Sequence, residues 1–252
     1  MSRTTRVDAV VLRARRFGEI HKSVTLLTAE DGLVSAVAYG AQSQKGKLRG
    51  LVNPFHQGVC YLYTNPVKDQ TKITDFDVKQ YYQGIRESID RFYAASLWAE
   101  VILKSYAGGG EARESYELLR TALEALDAAD GRAAVRRVTS QFLWRYIALL
   151  GSRPELDRCV SCGRALGERE LRWFGPFASG VSCEDCAGEA SRRLVPGAVR
   201  YLGVTAARPF GAAVAVGLDE AALSGLTGFL YSLAEGVLED RLNTLRTGGG
   251  IL

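Results

Sequence analysis

The sequence predicts a multidomain protein of mixed α and β class, with a small β-barrel over residues 1–82 and an α-helical domain over 83–252 that carries a four-cysteine motif at 159–186. Three observations lead there. Short runs rich in β-branched residues follow one another up to about Tyr82, with no room between them for helices. Beyond Glu87 the apolar residues recur at spacings of three and four. Four of the five cysteines form two Cys-x-x-Cys pairs separated by twenty residues.

In the N-terminal part, residues 7–15 (VDAVVLRAR) and 22–28 (KSVTLLT) read as strands on either side of the turn-forming Gly18. The AEDG of 29–32 is a hairpin turn, because Asp-Gly tolerates positive φ, and 33–39 (LVSAVAY) follows as a third strand. After a glycine-bounded loop over 40–50, residues 55–63 supply a fourth strand and 72–78 a fifth, past the Asn65-Pro66 turn. Five short strands in about 80 residues fit a barrel of the OB type. An SH3-like barrel fits the same strands.

Charge is distributed unevenly. Residues 1–82 hold 12 Lys/Arg against 7 Asp/Glu, a net +5, whereas 83–252 hold 20 against 21, a net −1. Arg13, Arg15 and Arg16 end the first strand, Lys22 starts the second, and Lys45, Lys47 and Arg49 alternate along the glycine-bounded loop. Cations so placed can track a phosphate backbone, which makes these seven residues the candidate nucleic-acid contacts. Tyr39, Tyr61 and Tyr63 offer stacking surfaces for unpaired bases, or cross-strand packing.

Helices are expected at 88–106 with Ser88 as N-cap, at 114–126, at 132–150, at 196–206 and at 221–245. The first has apolar residues at Ile89, Phe92, Tyr93, Leu97 and Val101 and a stop at 108–110; the tail over 248–252 is expected to fray. The third places Val135, Val138, Phe142, Tyr146 and Leu149 on one stripe. In the last, Leu223, Leu226, Leu230, Leu233 and Val237 have the spacing of a packed terminal helix, and the chain is expected to be a monomer. No run approaches 18 consecutive apolar residues, so no membrane span is expected.

Cys159 with Cys162, and Cys183 with Cys186, supply the four soft donors that a structural zinc ion prefers. Gly163 can take the left-handed conformation that turns backbone N–H groups toward sulfur. The charged, polar MSRTTRVD start has no signal-peptide pattern, which favours a reducing cytoplasm over two disulfides. A redox motif would occur once, after a strand; here it is doubled between segments read as helical. The expected site is closed and structural, with about 10–16 kcal/mol of apparent binding free energy going into local folding.

No catalytic pattern emerges. There is no phosphate-cradling Gly-x-x-x-x-Gly-Lys-Ser/Thr loop, no Gly-x-Gly-x-x-Gly and no Gly-x-Ser-x-Gly elbow. Cys60 reads as a small buried hydrophobe and Glu100 as a carboxylate satisfied by a neighbour. The expectation is a protein that is not an enzyme.

Taken in order, VDAVVLRARRFGEIHKSVTLLTAEDGLVSAVAYGA, the basic loop with LVNPFHQGVCYLY, the turn LLGSRPELDRCVSCGR and the final CEDC resemble the bacterial RecO family of recombination mediators over essentially the whole chain. The resemblance implies an OB-fold domain followed by a helical domain, with the family's zinc site at Cys159, Cys162, Cys183 and Cys186. It implies binding of single- and double-stranded DNA, annealing of complementary strands and, with RecR, loading of RecA onto DNA covered by single-strand-binding protein. RecF is a further partner it leaves open. It also implies contact with the acidic C-terminal tail of single-strand-binding protein through the helical domain, where Arg132, Arg136 and Arg137 form a basic cluster or an ordinary exposed face. The competing expectation is a zinc-braced protein scaffold in which DNA contact is incidental.

Overall fold

A computed structural model of the chain describes residues 4–68, 70–105 and 112–248. The chain divides into two compact units, one of Met1–Glu87 with Ile102–Asp127, the other of Ser88–Val101 with Ala128–Leu252. The expected helix stop at 108–110 and the tail over 249–252 lie outside the described residues.

In the first unit, β1 (Thr4–Phe17), β2 (His21–Thr28), β3 (Gly32–Ala38), β4 (Gln57–Asn65) and β5 (Gln70–Gln80) close a barrel in the order β1-β2-β3-β5-β4. The β3–β5 contact is parallel and the other pairings are antiparallel. That closure is the OB order and settles the choice between the two barrels expected from sequence. The interior holds Val7, Ala9, Val11, Val24, Leu26, Ala36, Ala38, Cys60, Leu62, Ile73 and Phe76.

β1 changes parity along its length. Val7, Ala9 and Val11 point inward, the register with β2 slips between Val11 and Arg13, and after that bulge the half-buried Ala14 packs on the core. Strict alternation would have driven Arg13 and Arg15 into the barrel; the extra residue turns both outward. A second bulge between Tyr61 and Leu62 in the β4–β5 register lets both Ile73 and Phe76 face the core.

The segment between β3 and β4 is a structured plug. Successive turns bond Ser43 N to Gly40 O (2.9 Å), Gly46 N to Ser43 O (3.1 Å) and Arg49 N to Gly46 O (3.0 Å). They deliver Ala41, Leu48 and Val52 into the barrel core. Gly46 is required by proximity, because a Cβ there would stand 1.9 Å from the carbonyl oxygen of Gly40. Helix α1 (Gln83–Glu87) follows the barrel, and α3 (Ala112–Asp127) lies against β1, β2 and β3 with Tyr116, Leu119, Leu123 and Leu126 buried. Gln57 Nε2 donates to Tyr116 Oη (2.9 Å), and Ile85 N to Asp127 Oδ1 (2.9 Å).

The long helix α2 (Ile89–Lys104) begins in the second unit and ends in the first. Ser88 accepts from Arg91 N at its start, as an N-cap does. Its buried face departs from the expected stripe: Ala94, Leu97, Trp98, Val101 and Ile102 are buried, whereas Ile89 and Phe92, in the first turn, are exposed.

In the second unit α4 (Gly131–Leu149) is buried on all sides from Val138 to Trp144, and Phe142 stacks between Trp98 (4.6 Å) and Tyr146 (5.6 Å). After it come the short strands β6 (Arg172–Phe174) and β7 (Arg192–Leu194), α5 (Pro196–Thr205), α6 (Phe210–Val214), α7 (Glu220–Leu238) and α8 (Asn243–Thr247). α7 packs on α4 through a face that includes Leu223, Leu226, Leu230 and Leu233. It is long and apolar enough by composition to cross a membrane, a property it shares with core helices, and half of the qualifying window is buried. The helix expected over 221–245 is two: Glu239 takes a left-handed conformation (φ 50°), and Asp240 N closes on Glu235 O (3.2 Å), which ends α7.

Candidate nucleic-acid interface and metal centre

The β1–β2 turn and the plug meet at one end of the barrel. Gln42 N donates to Ile20 O (2.9 Å), and Gly40 N to His21 Nδ1 (3.0 Å). Arg13, Arg15, Arg16, Lys45, Lys47 and Arg49 are all exposed in the two segments and the strand leading into them. Arg13, Arg15 and Lys45 make no hydrogen bond or ion pair among the described residues. Arg16 donates to Gly18 O (3.2 Å), Arg49 to Gln44 O (3.1 Å), and Lys47 pairs with Asp75 (2.8 Å) in an exposed contact that water readily replaces. Beside Lys47, the Asp75 carboxyl is held below its usual range, first by the hydrogen bond from that lysine. Lys22 stands apart from the other six. It is half-buried, with Nζ on Asn53 Oδ1 (2.8 Å), and burial followed by the charge of Arg86 pushes its pKa down.

Of the three tyrosines considered for stacking, Tyr39 is at this end, 43% exposed and edge-on to His21 (4.8 Å). Tyr61 and Tyr63 are half-buried on β4, with Lys72 over the Tyr63 ring (4.8 Å). Sequence reading missed Phe17 and Ile20, exposed at 47% and 46% around the β1–β2 turn. The sign was present: a strand ending Arg-Arg-Phe before Gly-Glu-Ile puts two large apolar residues where a tight turn cannot bury them.

In the second unit the sulfurs of Cys159, Cys162, Cys183 and Cys186 all lie within 4.8 Å of one another, with Cys162 and Cys183 3.8 Å apart. Four thiolates about 2.3 Å from one tetrahedral ion would sit about 3.8 Å from each other, so the donor set fits a metal ion of that size. Two turns build it. Gly163 has φ 74°, its N–H bonds Cys159 O (2.9 Å), and Cys159 N bonds Arg164 O (2.8 Å). Val160 N on Val181 O (2.9 Å) joins this turn to the second, which is a single 3-10 turn over Glu184–Cys186. The doubled motif therefore lies in irregular chain with a two-stranded sheet, β6–β7, rather than directly between helices.

Backbone N–H groups, that of Cys162 foremost, pull the Cys159 thiol down to about 6. Cys186, hydrogen-bonded first to Cys183, is pushed up to about 12, because sulfurs this close cannot all carry charge without a cation between them. Cys60 is unrelated to the set: burial in the barrel pushes it up to about 12, as befits an inert core residue.

Arg132, Arg136 and Arg137 do not form one free cluster. Arg136 reaches Glu220 on α7 (2.8 Å), Arg137 donates to Val214 O on α6 (3.2 Å), and Arg132 lies 3.9 Å from Asp90. Two of them tie helices together because i and i+1 on α4 face different neighbours. Glu100 accepts from the backbone N–H groups of Asn243 and Thr244 (both 2.8 Å), which caps α8. Elsewhere in this unit a cavity of about 620 Å3 is walled by Trp144, Pro154, Leu202 and Val204, with Arg153 and Arg200 among its polar lining.

Comparison with known proteins covers both units. Residues 1–82 match the family described as recombination protein O N terminal, and residues 86–246 the one described as recombination protein O C terminal. A DNA repair protein RecO from Rubrobacter xylanophilus is 32% identical over 220 residues, covering 86% of each chain. One from a Nocardioides species is 30% identical, covering 79% of this chain and 80% of the relative. One from an Anaeromyxobacter species is 32% identical, over 76% of this chain and 73% of its own.

Proposed function

The chain belongs to the RecO family of DNA repair and recombination proteins, and from that premise we propose that it is a DNA-binding recombination mediator that catalyses no chemical step. The observation that carries the proposal is six exposed cations on β1 and the plug, the two segments that meet where Phe17, Ile20 and Tyr39 are exposed. Annealing requires two mutually repelling strands to approach. A surface that neutralises phosphates without reading base edges lowers that barrier and leaves the edges free to pair. Exposed aromatics beside the cations hold unpaired bases by stacking, which tolerates any sequence.

The same reading gives the protein RecR and RecA as working partners in the cytoplasm and the acidic tail of single-strand-binding protein as a docking peptide. Arg153 and Arg200 on the rim of the apolar cavity suit such a tail by charge, and Trp144, Leu202 and Val204 suit its apolar end. Asp157 and Glu168 also line the cavity and set a limit on how many carboxylates it accepts. We infer that the four cysteines hold Zn2+ in a closed, structural role: an all-thiolate tetrahedral set leaves no position for a reacting water.

Annealing of complementary oligonucleotides coated with single-strand-binding protein, across a salt series, tests the proposal. Acceleration without nucleotide is expected, and for about five neutralised phosphates log K falls against log salt with a slope of about −3.5. A folded, metal-loaded sample that gives no acceleration, yet retains protein partners when the barrel cations are replaced, would favour a scaffold.

A further inference from the structure

The chain 50–56, between the plug and β4, has a feature that the cationic end of the barrel does not explain. Asn53 Nδ2 donates to Gly50 O (2.9 Å), which orients the amide so that its Oδ1 faces Lys22 Nζ (2.8 Å). Lys22 also reaches Val52 O (3.4 Å). Three residues on, His56 is 1% exposed and its two ring nitrogens are both engaged. Arg86 donates to Nε2, and Nδ1 lies 2.6 Å from Leu51 O. A guanidinium only donates, so Nε2 must be the acceptor and the ring proton must sit on Nδ1, where it bonds the carbonyl. The imidazole is therefore neutral, and burial is the chief cause that keeps its pKa low, with Arg86 and Lys22 adding to it.

Lys22 thus rests on Asn53 Oδ1 and Val52 O, and Arg86 on His56 Nε2, so one short segment holds both cations on neutral acceptors. Neither has a carboxylate partner among the described residues. Lys22, half-buried, is a cation drawn partly out of water, the kind of group that proteins pair with an anion. Here residues 50–56 form a platform that holds half-buried Lys22 and, through His56, exposed Arg86 on neutral acceptors, with no acid paired to either among the described residues. Arg86 is exposed, and Tyr81, 45% exposed, packs edge-on against His56 (4.9 Å), so the place is open to solvent.

We propose that Lys22 and Arg86 form a phosphate clamp on the barrel, with Asn53 and His56 as positioning residues that present the two cations to one phosphate of a nucleic-acid backbone. The clamp rests on the nucleic-acid reading above and adds to it a defined anchoring point, which an array of mobile surface cations lacks. Arg86 belongs to α1, outside the strands, so the clamp extends the interface past the barrel.

The full-length protein is the test. Lys22→Gln, Arg86→Gln and the double variant are compared with Arg13→Ala/Arg15→Ala/Lys45→Ala for binding of a fluorescent single-stranded oligonucleotide across salt, with thermal unfolding as the folding control. Because both cations serve one phosphate, the double variant is expected to reduce the salt slope by about 0.7, and each single substitution by part of that. A double variant with unchanged slope and affinity, beside a triple variant that loses both, overturns the clamp and leaves the nucleic-acid reading standing. If neither variant changes binding, the nucleic-acid reading fails with it. The source of the phosphate is read from ring resonances of the chain's two histidines. Inorganic phosphate is expected to shift His56 in the wild type but not in Arg86→Gln, and the oligonucleotide to compete that shift away. A phosphate shift that the oligonucleotide leaves untouched assigns the clamp to a free anion and overturns the backbone assignment.

Discussion

The barrel turns Val11, Val24, Leu26, Leu62, Ile73 and Phe76 into one interior, whereas residues 153–194, around the four cysteines, bury few large apolar side chains beyond Leu166, Phe174, Val181 and Leu194. Both are tightly bent chain. One is held by area removed from water, about 25 cal/mol for each Å2, with strand hydrogen bonds closing the ring. The other has backbone N–H groups aimed at carbonyls and sulfurs, and its four sulfurs meet at one point. The difference teaches that the cysteine segment lacks the apolar interior that orders the barrel; under the proposed function, an ion at the four sulfurs supplies that order instead.

The largest expected effect separates the two at once. Cys159→Ser with Cys183→Ser, or exhaustive chelation, removes about 10 kcal/mol or more of apparent binding free energy from the segment. Hydrogen exchange read by mass spectrometry should then lose protection over 158–186 while β1–β5 keep theirs; a segment that stays protected without metal would show that its few apolar contacts suffice. Leu26→Ala reverses the comparison. It should cost about 2–5 kcal/mol in the denaturant unfolding of the barrel and leave metal content unchanged.

Gly46→Ala should cost about 1–3 kcal/mol, because its Cβ would collide with the Gly40 carbonyl and disturb the turns that carry Lys45, Lys47 and Arg49. DNA affinity should fall with it, which a merely flexible loop would not show. The smallest effect concerns His56. Its folded pKa is lowered, so the unfolded chain takes up a proton that the folded barrel refuses, and stability fully present above about pH 6.5 is lost as pH falls from there toward the folded value. Denaturant midpoints at pH 7.5 and 5.5 should differ more in the wild type than in His56→Gln; equal differences would remove His56 from the account.

All five strands were legible in the sequence because β-branched runs and Asp-Gly turns act locally, and the Cys-x-x-Cys spacing is legible for the same reason. Other features depended on partners distant in sequence. The end of α7 at Leu238 reflects a left-handed residue and a new helix start capped by Glu100, 143 positions away in the chain from Asn243. The basic cluster on α4 dissolved once Glu220 and Val214 claimed Arg136 and Arg137. Exposure of Ile89 and Phe92 could not be read from spacing, since periodicity reports which residues share a face and not where its neighbour stops.

By itself the sequence determined the five barrel strands, the longer helices, the excess of positive charge in residues 1–82 and four cysteines spaced to hold a metal, all of which follow from residue type and short-range spacing. The tertiary structure alone decided that β3 and β5 close the ring, that a bulge turns Arg13 and Arg15 to solvent, and that Lys22 and Arg86 rest on one segment through Asn53 and His56. Those are outcomes of register and chain closure, which bring together residues whose local sequences carry no information about each other.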